Sequence, residues 1–277
     1  MKLLTCILKQ NDCYHTKRTI QPKGVMVHST GANNPNLKRY VQPLDGDADC
    51  AALLAQLGVN NNKNDWNRPG LDVCVHGFIG KLADGSIASV QTLPWSWRGW
   101  HAGTGTSGKS ANNTHISFEI CEDGLTDPAY FRLVYREAVE LTACLCRQYG
   151  LDPLADGVVI CHSEGHRRGI ASGHADVEHW FPKQGTSMDD FRADVAAELA
   201  ARPEPEPEPA PEPKPEPEED DDMKYYKTLE DVPEYYRSTV EKLVESGALK
   251  GTAENVLNVS EDFCRTMTVL DRLGKLE

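Results

Sequence analysis

Short apolar runs bounded by glycine or polar residues recur through much of the chain and predict β-strands. The predicted strands cover residues 1–8, 25–31, 73–82, 86–93, 115–121 and 157–162. The third and fourth are separated only by Ala83, Asp84 and Gly85, a connection typical of a β-hairpin. Helical patterns between the other strands indicate an α/β fold.

The clearest helical pattern begins at Asp127 and ends at Gly150. Asp127 suits the N-cap, Pro128 the first helical position and Gly150 the C-terminal stop. Between them, apolar residues recur at helical spacing, at Phe131, Val134, Ala138, Leu141 and Leu145. Two further helices are predicted, over residues 47–57 and 187–200.

The composition changes abruptly after the last of these helices. Residues 203–222 contain eight of the seventeen prolines, ten acidic residues and a single lysine. Alternating proline and glutamate favours an extended backbone, and like charges repel, so a semi-rigid linker is predicted. Residues 223–277 follow as a small module, with helices predicted over residues 233–246 and 261–273. The chain is therefore predicted to comprise a larger domain over residues 1–202, the linker and this helical module.

The net charge of −13 is concentrated in the linker, whose ten acids and one lysine contribute −9. The rest of the chain carries only −4 and has no basic stripe, which argues against nucleic acid as a partner. The hydrophobic share of 39% suffices for a packed core. No apolar run approaches the roughly 18 residues that a membrane span needs.

Nine cysteines, an odd number without framework spacing, indicate synthesis in a reducing compartment. Six lie in apolar runs, where cysteine is usually a small buried side chain: Cys6, Cys74, Cys121, Cys144, Cys146 and Cys161. The apolar stretch from Leu3 to Leu8 is too short for a signal-peptide core. We therefore expect a protein made in the cytoplasm, which reaches any outside substrate after release or by another export route.

The densest group of candidate metal ligands lies within residues 158–183, which contain four of the nine histidines. His162 lies at the end of an apolar strand, and so does His28. Two strand-end histidines in one sheet favour a shared Zn²⁺ site, with a fourth position left for water. The third protein ligand is either Asp176 or His174, and spacing alone does not separate these two residues.

A catalytic base is predicted on the strand of residues 115–121. Strand alternation places Glu119 with His115 and Ser117 on one face, which is either solvated or lines a cleft. If the cleft holds the metal, Glu119 can accept a proton from water as general base. His174 would then stabilise a developing oxyanion.

Aromatic side chains in a Gly-rich loop suit the wall of a sugar-binding groove, namely Trp97, Trp100 and His101. Packing within the core or the loop is the alternative for them. His76 is predicted to pack in the sheet or to orient a ligand. The remaining polar candidates are assigned to structure or solvent: His15, His166, His179, Arg167 and Arg168.

Three segments resemble the type 2 N-acetylmuramoyl-L-alanine amidases, a family that includes phage endolysins and, more distantly, peptidoglycan-recognition proteins. The segments are VMVHST at residues 25–30, HISFEICEDG at residues 115–124 and CHSEGHRRGIASGHADVEHWFP at residues 161–182. The resemblance spans about 200 of the 277 residues. It implies a central mixed β-sheet flanked by helices.

The resemblance also implies a zinc ion held by His28, His162 and Asp176, with Glu119 as the catalytic acid/base. Many family members carry lysine two residues before the third ligand, where this chain has His174. The implied reaction is hydrolysis of the amide between N-acetylmuramic acid and L-alanine in bacterial peptidoglycan. The implied setting is cell-wall lysis by an endolysin.

Other functions fit the sequence less well. A non-catalytic peptidoglycan-binding protein on the same fold is disfavoured, because the full set of catalytic residues is present. A zinc peptidase is disfavoured because no HExxH motif occurs. The module of residues 223–277 is similar to small cell-wall-binding units of endolysins and would raise the local substrate concentration. A dimerisation hairpin, which would make the protein a homo-oligomer, is the alternative.

Overall fold

A computed structural model describes residues 1–47, 49–201, 224–251 and 256–276. The chain divides into two compact units, one within residues 1–204 and the other within residues 205–277. The predicted linker of residues 203–222 lies outside the described residues. In the part of the chain that the structure describes, no helix is long and apolar enough to cross a lipid bilayer.

The first unit is built on one six-stranded sheet. Its strands are β1 (Leu3–Thr5), β2 (Gly24–Asn33), β3 (Gly77–Lys81), β4 (Ile87–Gln91), β5 (His115–Glu122) and β6 (Val159–Cys161). Their order across the sheet is β1-β4-β3-β5-β2-β6. The pair β3–β4 is antiparallel and the other neighbours in this sheet are parallel, so the predicted hairpin and mixed sheet are confirmed.

Several strands are shorter than predicted. Strand β3 begins at Gly77 rather than Val73, because Cys74 instead forms an isolated bridge with Trp100. Strand β6 ends at Cys161, so the next residue already belongs to a helix. All nine cysteines lie within the described residues and are free thiols, and Cys144 is half-buried rather than buried.

Helices pack against the sheet: α1 (Asp12–Thr16), α2 (Cys50–Leu57), α3 (Pro128–Tyr149), α4 (His162–Arg167) and α5 (Met188–Ala201). Helix α3 has the predicted bounds. The Asp127 side chain accepts the N–H of Ala129 at 2.8 Å, and Gly150 adopts the left-handed conformation that ends the helix. Helix α2 begins at Cys50, three residues later than predicted.

Alternation along the strands divides the buried side chains between two cores. Ile116, Phe118 and Ile120 of β5 join the core that includes residues of α3 and α5. His28, Ser117 and Glu119 occupy the alternate positions of β2 and β5 and therefore face away from that core. Since His28 and Ser117 are buried, the predicted alternative of a solvated Glu119 face is wrong.

The second unit is a small α/β module. Its helices, α6 (Glu234–Glu245) and α7 (Glu261–Arg272), lie close to the predicted bounds. They share a core of Tyr226, Val232, Tyr236, Val240, Val259 and Cys264. A two-stranded antiparallel ribbon was not predicted, because strands of two residues show no alternation: β7 (Tyr225–Tyr226) and β8 (Val259–Ser260).

Candidate metal centre

Three side chains converge where β6 ends, beside the middle of β2, which continues to Asn33 beyond its predicted end at Gly31. His28 lies on β2, and His162 is the first residue of α4, directly after β6. Asp176 returns to them as the first residue of a short 3-10 helix. Its Oδ2 lies 3.0 Å from His28 Nδ1 and 2.9 Å from His162 Nδ1, and these two nitrogens are 3.2 Å apart. Asp176, rather than His174, thus completes the group.

These three atoms fit a tetrahedral Zn²⁺ site. With metal–ligand bonds of about 2.0–2.1 Å, the ligand atoms of a tetrahedral site lie about 3.3 Å apart. The observed separations of 2.9 to 3.2 Å are close to that edge length. Two imidazole nitrogens and one carboxylate oxygen also form an accepted zinc donor set that leaves one position open. The residues present therefore fit a catalytic zinc centre.

The start of α4 fixes the position of His162. Cys161 is the N-cap, and its N–H donates to Glu164 Oε2 at 3.0 Å, which forms one half of a capping box. Arg192 of α5 holds the same carboxylate at 3.1 Å. The strand-to-helix junction is therefore braced at the residue that precedes His162.

The backbone at Asp176 is strained, with φ of +41°. Aspartate tolerates the left-handed region better than most residues, and such strain is retained only where the surroundings impose it. Here Val177 of the 3-10 helix and Trp180, which follows that helix, are fully buried. His179 also lies 2.8 Å from the buried carboxylate of Glu122. These contacts hold Asp176 against the two histidines.

The charges of the group suit a cation. Burial lowers the pKa of His28, although its hydrogen bond to Asp176 partly opposes this effect. Burial raises the pKa of Asp176, but the hydrogen bonds to His162 and His28 outweigh it and hold that pKa well below its usual range. A carboxylate is thus ionised beside a neutral imidazole, which are the protonation states that bind metals.

Glu119 is the register partner of His28 on the neighbouring strand β5. Its Oε2 is buried and has no hydrogen-bond partner among the described residues. Burial, and then the charges of Asp176 and Glu122, raise the pKa of Glu119 well above its ordinary value. A buried carboxyl group with high proton affinity beside a candidate metal site is suited to general acid/base chemistry.

A pocket of about 300 Å³ opens over this group, lined by His28, Ser29, Thr30, Gly31, Trp66, Val73, Val75, Trp100, His101, Glu119, His162, His174 and Asp176. His174 is exposed, with its ring centroid 4.7 Å from that of His162. Trp100 and His101, both predicted for a substrate groove, line the pocket. Trp97 does not, because it packs against Tyr14 with ring centroids 5.0 Å apart.

Trp66 was missed as a pocket residue, because it lies in a loop-rich stretch without hydrophobic periodicity.

His76 packs in the sheet, where its Nδ1 accepts the N–H of Ser117 at 3.0 Å. His15 and His166 are exposed. His115 does not join the site, because its Nε2 is hydrogen-bonded to the carbonyl oxygen of Gly157 at 3.0 Å. Arg167 and Arg168 form ion pairs with Glu178 and Asp156.

The family model for N-acetylmuramoyl-L-alanine amidases matches residues 18–182, more than half of the chain. The chain belongs to this amidase family. The matched span includes all three members of the candidate metal group and Glu119. No curated protein matches the chain.

Several solved structures show limited similarity to this family member. The hydrolase AmiA of Staphylococcus aureus is 18% identical over 73% of this chain and 85% of its own, with a TM-score of 0.49. The PlyG catalytic domain is 18% identical over 72% of this chain and 96% of its own, with a TM-score of 0.47. A mutant endolysin from Bacillus subtilis is 20% identical over 70% of this chain and 99% of its own, with a TM-score of 0.45.

Proposed function

We propose that this protein is a zinc-dependent amidase that hydrolyses the bond between N-acetylmuramic acid and L-alanine in bacterial peptidoglycan. The observation that supports the proposal most strongly is the triangle of His28 Nδ1, His162 Nδ1 and Asp176 Oδ2, with Glu119 in register beside it. Family membership supplies the substrate class. A non-catalytic binder needs no such complete set.

In this proposal, His28, His162 and Asp176 hold the zinc ion. When bound, zinc supplies Lewis-acid chemistry, which polarises a carbonyl and lowers the pKa of water. Glu119 accepts the proton of the attacking water and delivers it to the leaving amine of L-alanine. His174, exposed at the rim of the pocket, donates a hydrogen bond to the developing oxyanion.

Aromatic faces in the pocket provide the groove for the substrate. Trp100 is 37% exposed, and the Arg98 guanidinium carbon lies 4.8 Å from its ring centroid. The exposed face of such a ring packs against a sugar, and His101 and Trp66 complete the wall. Trp97, half-buried against Tyr14, has no place in this groove.

The module of residues 223–277 is proposed to bind the cell wall. It contains a cavity of about 560 Å³, lined by Thr228, Leu229, Glu230, Val244, Gly251, Val256 and Leu257. Among the described residues that line the cavity, Glu230 is the one with an ionisable side chain, and such a lining is suited to binding rather than to catalysis. Through the predicted semi-rigid linker, wall binding would give the amidase a higher local concentration of substrate. The enzyme is proposed to be made in the cytoplasm and to reach the wall after release or export.

The substitution Glu119→Gln tests the proposal. We expect the variant to bind one zinc ion as the wild type does, but to lose about 10²- to 10⁴-fold in turnover, because the amide cannot accept a proton. Glu245→Gln, which changes an exposed carboxylate of α6, serves as the control. Full activity of Glu119→Gln would remove Glu119 from the mechanism, and a wild type that binds walls without releasing amino termini would favour the non-catalytic binder.

A further inference from the structure

The two candidate metal-binding histidines share support on the sides of their rings that face away from the metal. His28 Nε2 lies 3.0 Å from His101 Nδ1. His162 Nε2 lies 3.3 Å from Ser172 Oγ, which in turn lies 3.2 Å from the carbonyl oxygen of Ala102. The Ser172 N–H donates to the same oxygen at 2.8 Å. The hydrogen-bond chains that start at the two rings therefore end at two consecutive residues, His101 and Ala102.

These contacts define proton positions. An imidazole that binds a metal through Nδ1 carries its proton on Nε2, and the partner of that N–H sets the orientation of the ring. His28 accordingly donates to His101 Nδ1, and His162 donates to the Ser172 hydroxyl. That hydroxyl donates onward to Ala102 O. A displacement of residues 101–102 would misalign both histidines at once.

Asn112 holds these two residues in place. Its Oδ1 accepts the backbone N–H of His101 at 2.7 Å and that of Ala102 at 2.9 Å. Its side-chain amide donates to Gly103 O at 3.4 Å. Asn112 is fully buried in the turn before β5. The backbone N–H of Asn112 donates to Ser110 Oγ at 3.2 Å. It lies outside the pocket lining, so it has no direct route to substrate.

We propose that Asn112 is a positioning residue of the metal centre, which sets the orientation of both ligand histidines through the backbone of His101 and Ala102. The inference rests on the proposed function, since it requires that His28 and His162 bind a metal. Loss of an outer partner of a metal-binding histidine typically weakens metal affinity 10- to 100-fold. Because Asn112 supports two such partners, its loss acts on both ligands.

Zinc affinity of the full-length, metal-stripped protein, measured by competition with a chromogenic chelator, tests this role. Asn112→Leu keeps the size of the side chain but removes the acceptor, and we expect at least tenfold weaker zinc binding. Asn112→Asp retains an acceptor oxygen and should stay within threefold of the wild type or bind more tightly. Asn113→Leu, a change at the exposed neighbour, should also stay within threefold. The d–d absorption of bound Co²⁺ should shift in Asn112→Leu only.

A loss below tenfold for Asn112→Leu, or an equal loss for Asn112→Asp, overturns the inference. If Asn112→Leu does not fold, Asn112→Ala decides, since it removes the same acceptor with a smaller side chain. That variant should lose at least tenfold in affinity, and a smaller loss overturns the inference. A wild type that binds no zinc contradicts the proposed function itself. Wild-type binding with unchanged binding in Asn112→Leu contradicts only the role of Asn112.

Discussion

His76 is expected to make the amidase sensitive to acid. The residue is fully buried, and both ring nitrogens are used. Nδ1 accepts the N–H of Ser117, and Nε2–H donates to the carbonyl oxygen of Trp97 at 2.6 Å. A second proton would have to enter at Nδ1, where it would break the bond from the Ser117 backbone N–H and place a charge in the interior. The folded protein therefore favours the neutral ring.

The magnitude follows from the pKa. Burial lowers the pKa of His76 from 6.5 to about 4, although its backbone hydrogen bonds partly oppose this effect. Because the folded pKa lies below the unfolded one, this stability is complete above pH 6.5 and is lost as the pH falls towards 4. At about 1.36 kcal/mol per pKa unit, the contribution of His76 to the free energy of unfolding should fall by about 2 kcal/mol between pH 7 and pH 5.

Urea unfolding of the metal-free protein at several pH values measures this loss. His76→Gln keeps a donor and an acceptor but cannot titrate. Between pH 7 and pH 5, its free energy of unfolding should therefore fall by about 2 kcal/mol less than that of the wild type. His15→Gln, at an exposed histidine of α1, is the matched control and should parallel the wild type. Parallel curves for the wild type and His76→Gln would refute the reasoning.

Three further predictions concern the site and its supports. Trp180→Ala should cost about 3–5 kcal/mol in urea unfolding, because the fully buried ring packs on Phe131 with centroids 5.3 Å apart, and a cost below about 2 kcal/mol would contradict this packing. His174→Ala should retain stoichiometric zinc by metal analysis but lose about 10²- to 10³-fold in turnover, whereas loss of zinc would make His174 a ligand. Deletion of residues 223–277 should weaken sedimentation with purified walls by about tenfold or more and leave hydrolysis of a soluble muropeptide unchanged. Unchanged sedimentation would refute the targeting role.

Local patterns in the sequence predicted helix α3 to the residue, because Asp127, Pro128 and Gly150 act through neighbouring backbone groups. The hairpin of β3 and β4 was predicted for the same reason. The boundaries that failed depend on distant partners. The apolar pattern around Cys74 predicts a strand, yet the backbone of Cys74 pairs with Trp100. The residues near Cys74 in the sequence do not indicate that contact.

The candidate site shows the same division. His28 and His162 were predicted because each lies at the end of an apolar run, and neighbouring parallel strands bring such residues together, although β2 itself continues to Asn33. The choice between Asp176 and His174 depended on a left-handed backbone at Asp176 and on the burial of Trp180. Spacing carries no information about either feature. Trp97 was assigned to the groove because it is close in sequence to Trp100, although the bridge between Thr19 and Trp97 directs it elsewhere.

Product analysis of digested cell walls tests the central claim most directly. Purified peptidoglycan should be treated with the metal-free enzyme, with and without added zinc, and the products should be examined by mass spectrometry. The account predicts zinc-dependent release of stem peptides with free L-alanine amino termini, together with glycan chains whose lactyl groups end as free carboxylates. Release that does not depend on zinc, or cleavage at any other bond, would contradict it.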